Sequence, residues 1–396
     1  MDSGNTAWLL TSAALVMFMT PGLAFFYAGM VRSKNVLGML MQNYFALGLI
    51  SVIWAMLGYT LAFGGDMALI GNLDYAFVYD IAESDEGMAF FAFQMMFAVI
   101  TPALITGATA DRLKFSGYAI FIGAWSLLVY SPVAHWVWDG GGWILEMGAQ
   151  DFAGGAAIHI NAGIAALAVV TVVGQRRGHG SLPMPPHNLP FTVLGTGMLW
   201  FGWFGFNAGS AFAADGIAAQ AMVNTHLAAA SGMLGWLAIE RLKTGHPTVL
   251  GACSGAVAGL VAITPCAGFV GDMSPIVIGA IAGVVCYQGL RLKERLRLDD
   301  SLDVIAVHLV GGLVGTILLG FFGDSDVLGA DGLFFGGGTD LLVDQIVGAL
   351  GVLAFSGIVS YLLALAIDRT IGLRVDSDAE LAGLDQSQHA ESAYQA

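Results

Sequence analysis

Eleven stretches of this chain are apolar for long enough to cross a bilayer as helices: residues 6–31, 37–64, 88–109, 115–136, 152–174, 190–212, 218–239, 248–267, 274–290, 302–322 and 341–367. A helix needs about 20 apolar residues to cover the hydrocarbon thickness, and helices satisfy every backbone N–H and C=O internally. The fold this implies is an all-α polytopic membrane protein with eleven transmembrane helices. Composition agrees, because 57% hydrophobic and 11% charged residues lie outside the range of soluble domains. No basic segment precedes the first apolar run, which is too long for a signal-peptide core, so it reads as a retained span. Cys253, Cys266 and Cys286 sit in apolar stretches without metal-ligand or redox spacing and read as small core residues.

The basic residues set the sidedness. All 14 fall in the odd-to-even connections and the tail: Arg32 and Lys34; Arg112 and Lys114; Arg176 and Arg177; Arg241 and Lys243; Arg291, Lys293, Arg295 and Arg297; Arg369 and Arg374. Positive connections stay inside, so the N-terminus is expected outside and the C-terminus in the cytoplasm of a cell inner (plasma) membrane protein. A miscounted span would have scattered the charges over both faces. The other face carries only acids: Asp66, Asp74, Asp80, Glu83, Asp85, Glu86, Asp139, Glu146, Asp215, Asp272, Asp324, Asp326, Asp331 and Asp340. Such a field raises the local concentration of cations. The net charge of −15 argues against nucleic acid as a partner.

Histidines lie inside two spans. Residues 151–168, DFAGGAAIHINAGIAALA, read as a helix that starts on Asp151 and places His159 about 12 Å along it. Gly155 and Gly163 flank His159 at four residues on either side and let another helix approach closely. His308 in span ten is likewise followed by Gly312, and spans one and six echo each other in YAG (27–29) and FNAG (206–209). Five spans followed by five similar ones must run in opposite senses, giving inverted repeats at about 6–174 and 190–322, with helix eleven at 341–367 extra. Equivalent spans meet at the repeat interface, which predicts that His159 and His308 come together. Two imidazoles there share a proton and suit a small hydrogen-bonding solute. No carboxylate or thiolate accompanies them to complete a metal shell, and no nucleophile–base set marks an enzyme. No cofactor is expected.

Several long motifs, PGLAFFYAGMVRSKN, FQMMFAVITPALITGATADR, DFAGGAAIHINAG, WFGFNAGSAF and the tail GLRVDSDAELAGLDQSQHAESAYQA, closely resemble the bacterial ammonium transporters of the Amt/Mep/Rh family, essentially end to end. The resemblance implies a homotrimer with one pore per subunit, ammonium or ammonia as substrate, and methylammonium as its analogue. It implies an outer recruitment site at Trp138, Phe97 and Ser210 with Asp151 nearby, a gate of stacked Phe97 and Phe206, and the pair His159 and His308 below. Phe93, Gln94 and Trp203 are further lining candidates, and Asp303, five residues before His308, matches an acid near the basic end of span ten and reads as a solvated cap of that span. Asp151 has an equally good role as helix N-cap, where the helix dipole favours a carboxylate.

Residues 1–367 thus read as a transmembrane transporter domain and 368–396 as a cytoplasmic regulatory tail. Polar composition alone would leave that tail disordered. The resemblance implies instead that it packs on the cytoplasmic loops, and that this face docks a PII-type signalling protein. Two other functions fit the same residues: an ammonium sensor or transceptor, and an electroneutral Rh-type ammonia channel. Sensors of this lineage usually carry a signalling domain after span eleven, where fewer than thirty residues stand here.

Overall fold

The computed structural model describes residues 2–81 and 87–394. Glu83, Asp85 and Glu86, counted above on the acidic face, lie outside the described residues. Eleven long helical segments follow one another: α1 (Ser3–Met30), α2 (Val36–Ile53, prolonged by a π turn at Trp54–Gly58 and by Tyr59–Phe63), α3 (Gly87–Thr109), α4 (Phe115–Trp125, a π turn at Ser126–Tyr130, then Ser131–Trp138), α5 (Gly155–Val173), α6 (Leu189–Gly209), α7 (Gly216–Thr244), α8 (Val249–Ile263), α9 (Ser274–Arg295), α10 (Ile305–Phe322) and α11 (Asp340–Thr370). Among the described residues nine of these are long and apolar enough to cross a membrane on their own account. The other two are α7, which buries Asn224, Thr225, Ser231 and Glu240, and α8, only 15 residues long. Their polar or short character is tolerable because both pack against other helices.

The pairs that the repeat predicts to meet do meet. Helix α1 packs along α6 through a seam of glycines: a Cβ on Gly195 would stand 2.2 Å from the Phe26 nitrogen, and one on Gly29 2.6 Å from the Asn188 carbonyl. With no hydrophobic force between helices in lipid, such close backbone approach supplies the packing contact. Helix α5 packs against α10, where a Cβ on Gly163 would fall 2.5 Å from the Leu309 nitrogen and one on Gly312 3.0 Å from the His159 Cβ. Buried aromatic groups satisfy their polar tips across the bundle, as with Tyr27 donating to the Leu104 carbonyl at 3.0 Å and Trp125 to Ser360 Oγ at 2.9 Å.

The helix expected from Asp151 begins later, at Gly155, and opens with a π turn over Gly155–Ile160. Gly154 takes φ 118°, a left-handed conformation in which a Cβ would strike Ile158 at 2.6 Å, so the chain turns there before entering the helix. His159 therefore sits in the first turn, not two turns down. Helix α10 opens the same way, with a π turn at Ile305–Leu309 that contains His308. π turns recur at functional sites because they re-aim a side chain without ending the helix.

The tail is ordered, against what composition alone suggests. After α11 it pairs Leu113 with Arg374 in an antiparallel bridge, then forms the short helices Ser377–Ala382 and Leu384–His389. Two of its acids are held at the basic face: Glu380 accepts the Arg177 N–H at 2.6 Å and pairs with Arg374 at 2.8 Å, and Asp385 accepts the Gly38 N–H in the first turn of α2 at 2.8 Å. Asn35 accepts the Leu384 N–H at 2.8 Å. Beneath it lies a charge hub. Asp111 receives Arg32 Nε at 2.9 Å, Arg176 Nη1 at 3.3 Å and the Asn35 amide, while Arg176 also grips Asp299 by a fork whose shorter arm is 2.7 Å. Burial alone would raise Asp299, yet the hydrogen bonds from Arg176 and the charge of Arg112 bring its carboxyl down to about 2.

Candidate pore and outer recess

The site is a column of rings below an open recess. On the acidic side the recess measures about 670 Å³, and Gln94, Phe97, Trp138, Asp139, Asp151 and Ser210 are among its lining. The Trp138 ring stands edge-on to Phe97 at 6.0 Å, and Phe97 stacks on Phe206 at 4.2 Å with 15° between planes. Phe206 lies 6.3 Å above His159, and the His159 and His308 rings follow at 5.3 Å with their Nδ1 atoms 3.2 Å apart. Helix α3 supplies Phe97 and α6 supplies Phe206, so closing the entrance takes one residue from each of two helices in different repeats.

Each polar group has a geometry that limits what it can do. The Ser210 hydroxyl gives its proton to the Phe206 carbonyl at 2.9 Å and so presents only lone pairs to the recess, a hydrogen-bond acceptor for a cation that donates. The Trp138 Nε1–H is tied to the Asp151 carbonyl at 2.9 Å, which fixes the plane of the indole. The Asp151 carboxylate, although it borders the recess, already accepts four backbone N–H groups: Gly154 and Gly155 at 2.7 Å, Ala156 at 2.8 Å and Ala157 at 3.1 Å. Its sequence role as N-cap is thereby met in an extended form, and little of its charge is left for a solute.

Below the phenylalanines the lumen narrows to a void of about 10 Å³, lined by apolar side chains together with Trp203, Phe206, His159 and His308. That is room for about one water-sized molecule. Trp203 stacks on His159 at 5.6 Å and is anchored by its Nε1–H donating to Thr264 at 2.9 Å. With one proton between the two Nδ1 atoms, one imidazole is an Nδ1–H donor with a bare Nε2, and the other carries Nε2–H. Among the described residues His159 Nε2 is buried without a hydrogen-bond partner, as is Gln94 Oε1 above the gate.

Two candidates move. Phe93 does not line the recess; it is buried behind Phe97, 4.7 Å between centroids, because α3 turns it toward Gly209. Asp303 does not cap α10 with its carboxylate but pairs with Lys293. The cap is Asp300, which sequence reading missed: it accepts the Val304 N–H at 3.1 Å and the Ile305 N–H at 2.8 Å. Burial pushes the Asp300 carboxyl up to about 6, against the pull of Lys293. A signal was available, since Asp300 precedes His308 by the same eight residues that separate Asp151 from His159. Among the described residues no cluster of His, Cys, Asp and Glu could hold a metal ion.

The chain is similar to known proteins along nearly its whole length. Residues 7–394 match the Ammonium Transporter Family. An ammonium transporter of Mycobacterium tuberculosis (strain H37Rv) is 49% identical over 431 residues, 99% of this chain and 90% of that protein. Ammonium transporter Amt1 of Archaeoglobus fulgidus is 45% identical over the whole of both chains. Among solved structures, Candida albicans Mep2 superposes with a TM-score of 0.91 at 33% identity, covering 100% of this chain and 93% of that one. A structure described as a sensor Amt protein gives 0.92 at 31% identity over 98% of each chain. With these relatives spanning its length, the chain belongs to the ammonium transporter family and is a multi-pass membrane protein that transports ammonium.

Proposed function

We propose that this chain recruits NH4+ in the outer recess, strips its proton at the phenylalanine gate and passes NH3 along the lumen past His159 and His308. The reading rests on one observation, the unbroken series from Trp138 through Phe97 and Phe206 to the Nδ1–Nδ1 contact of the histidines. A partly dehydrated ammonium gains about 0.5–2 kcal/mol of cation–π attraction from each of Trp138 and Phe97 and donates to Ser210 Oγ. Past the gate, an ion at the bilayer centre costs at least about 2.5–3.5 kcal/mol, which the neutral solute avoids. Potassium has similar size and the same charge but no proton to surrender, so a pore that demands one rejects it. The proton given up at the gate enters on the bare Nε2 of the histidine pair, the shared proton crosses from one Nδ1 to the other, and the Nε2–H of the far ring leaves toward the basic side, while ammonia passes beside the rings.

The same reading makes the basic face cytoplasmic in a cell inner membrane, residues 1–367 the transport unit of a homotrimer, and 368–396 a tail whose face docks a PII-type protein. Uptake and reconstituted currents test the mechanism. The His159→Ala and His308→Ala variants are expected to lose selective, electrogenic methylammonium transport, and unchanged transport in both would refute the relay. A sensor is the second reading, favoured by the likeness to the sensor Amt protein. Liposomes loaded with purified protein separate the two, because a sensor carries no sustained flux. An electroneutral ammonia channel would show flux without current.

A further inference from the structure

Helix α11 stands outside both repeats, yet its outer end reaches the backbone that shapes the recess. Five residues into it, Gln345 is 1% exposed. Its Oε1 accepts the Gln150 N–H at 2.6 Å, and its Nε2 donates to the Gln150 carbonyl at 2.8 Å and to the Thr316 carbonyl of α10 at 3.2 Å. One amide therefore grips both main-chain groups of a single residue, as a neighbouring strand would. Two glycines leave the flank of α11 bare for this approach: a Cβ on Gly348 would stand 3.1 Å from the Ile144 side chain, and one on Gly351 2.8 Å from Trp143.

The gripped residue is the one before Asp151. Residues 149–154 belong to no helix, so their backbone groups need partners from elsewhere. The Asp151 carbonyl in turn accepts the Trp138 Nε1–H at 2.9 Å, and that indole meets Phe97 at 6.0 Å. From Gln345 to Trp138 every link is a hydrogen bond or a single peptide unit. The equivalent place at the inner end is built differently. There Lys293 Nζ donates to the Asp300 carbonyl at 2.7 Å and Arg112 Nη2 to the Asp299 carbonyl at 2.6 Å, so cations hold the matching pair of carbonyls. Beside the recess a cation in that position would repel ammonium, whereas a carboxamide holds the backbone without a charge.

We propose that Gln345 is a positioning residue for ammonium recruitment: through Gln150 it sets the place of the Asp151 carbonyl, and so the plane of the indole that Trp138 turns to the cation. Cation–π attraction needs the cation over the ring face, within about 6 Å of its centroid, so a tilted indole weakens the site without removing a ligand. The Asp151 carboxylate is not part of this path, because loosening it leaves Gln150 gripped and the carbonyl in place. The assignment rests on the recruiting role of Trp138 above and adds the residue, outside both repeats, that holds it.

The test is initial-rate uptake of methylammonium by the full-length protein in liposomes, normalised to folded protein, for Gln345→Met in the wild-type and Trp138→Leu backgrounds. Methionine fills the same space and makes neither bond to Gln150. In the wild-type background the half-saturating concentration is expected to rise about 3- to 10-fold, inside the range set by losing one ring face, with maximal flux within about twofold. In the Trp138→Leu background the same change should add less than about twofold, because the ring it positions is gone. Gln345→Asn keeps an amide too short to span both groups and should move the value the same way by less, which carries the test should the methionine variant fold poorly. An unchanged half-saturating concentration where Trp138→Leu raises it, or an equal rise in both backgrounds, overturns the positioning role and leaves recruitment standing. No rise from Trp138→Leu itself overturns recruitment, and the assignment with it.

Discussion

Replacing Asp151 with Asn separates a capping acid from an ammonium ligand. The carboxylate holds four N–H groups at 2.7–3.1 Å, two on each oxygen. Asparagine keeps one oxygen, enough for Gly154 and Gly155, and turns its own NH2 toward the donors of Ala156 and Ala157. Two hydrogen bonds to a charged acceptor are lost, about 1.5–3 kcal/mol each at face value. Measured losses of a whole N-cap reach only about 2 kcal/mol, because water and small shifts recover part of the cost. A destabilisation of about 2–4 kcal/mol follows, since this helix start is buried and water reaches it poorly. The Asp151 carbonyl also positions Trp138, so a loosened cap reaches the recess indirectly. Unfolding of the purified protein in detergent and initial rates of methylammonium uptake in liposomes are the two measurements. The expected result is lower stability and lower maximal flux, with the half-saturating concentration changed by less than about threefold, or about 0.7 kcal/mol. A tenfold rise in that concentration with stability unchanged would refute the capping argument and make the acid a substrate ligand.

Other outcomes follow from the same geometry. Trp138→Leu removes one cation–π face and should raise the half-saturating methylammonium concentration about 2- to 30-fold, corresponding to about 0.5–2 kcal/mol, with little change in the unfolding temperature. Gly163→Ala sets a Cβ 2.5 Å from the Leu309 nitrogen, so α5 and α10 must separate. About 1–3 kcal/mol of stability should be lost, and flux should fall with it as measured by uptake. For Asp299, the folded carboxyl lies near 2 and the unfolded one near 3.9. Its stabilisation of the hub is complete above about pH 5 and is lost as pH falls from about 4 towards 2, because the unfolded chain takes up the proton first. Protease release of the tail across that range, compared with Asp299→Asn, reads this out.

The sequence was most legible where one physical force acts alone. Apolar run length marks the eleven helices to within a few residues at most ends, because the hydrocarbon to be crossed sets most of them, α7 and α8 leaning also on their neighbours. The histidine pair was legible from symmetry, since the spans that carry His159 and His308 occupy equivalent positions. Local backbone geometry was not. A π turn has no hydrophobic period of its own in an all-apolar helix, so the late start at Gly155 is visible only once Gly154 is seen at positive φ. Phe93 and Phe97 are one turn apart on α3, and only packing against Gly209 tells which of them meets the recess. The tail misleads for a related reason: its acids look like solvated charge, yet Glu380 and Asp385 accept backbone N–H groups far away in the chain, from Arg177 and from Gly38 at the start of α2. Such pairings are long-range and leave no local pattern.

The charge hub has a mechanical consequence. Asp111 is buried, held at φ 73°, and receives Arg32, Asn35 and Arg176 from the α1–α2 and α5–α6 connections while itself belonging to the α3–α4 connection. Withdrawing both arginines would leave a buried carboxylate without its compensating charge, at a cost of about 3–5 kcal/mol. The cheaper motion carries all three together. The α1–α2, α3–α4 and α5–α6 connections are therefore tied into one unit at the basic face, so that a displacement of one of them is passed to the other two.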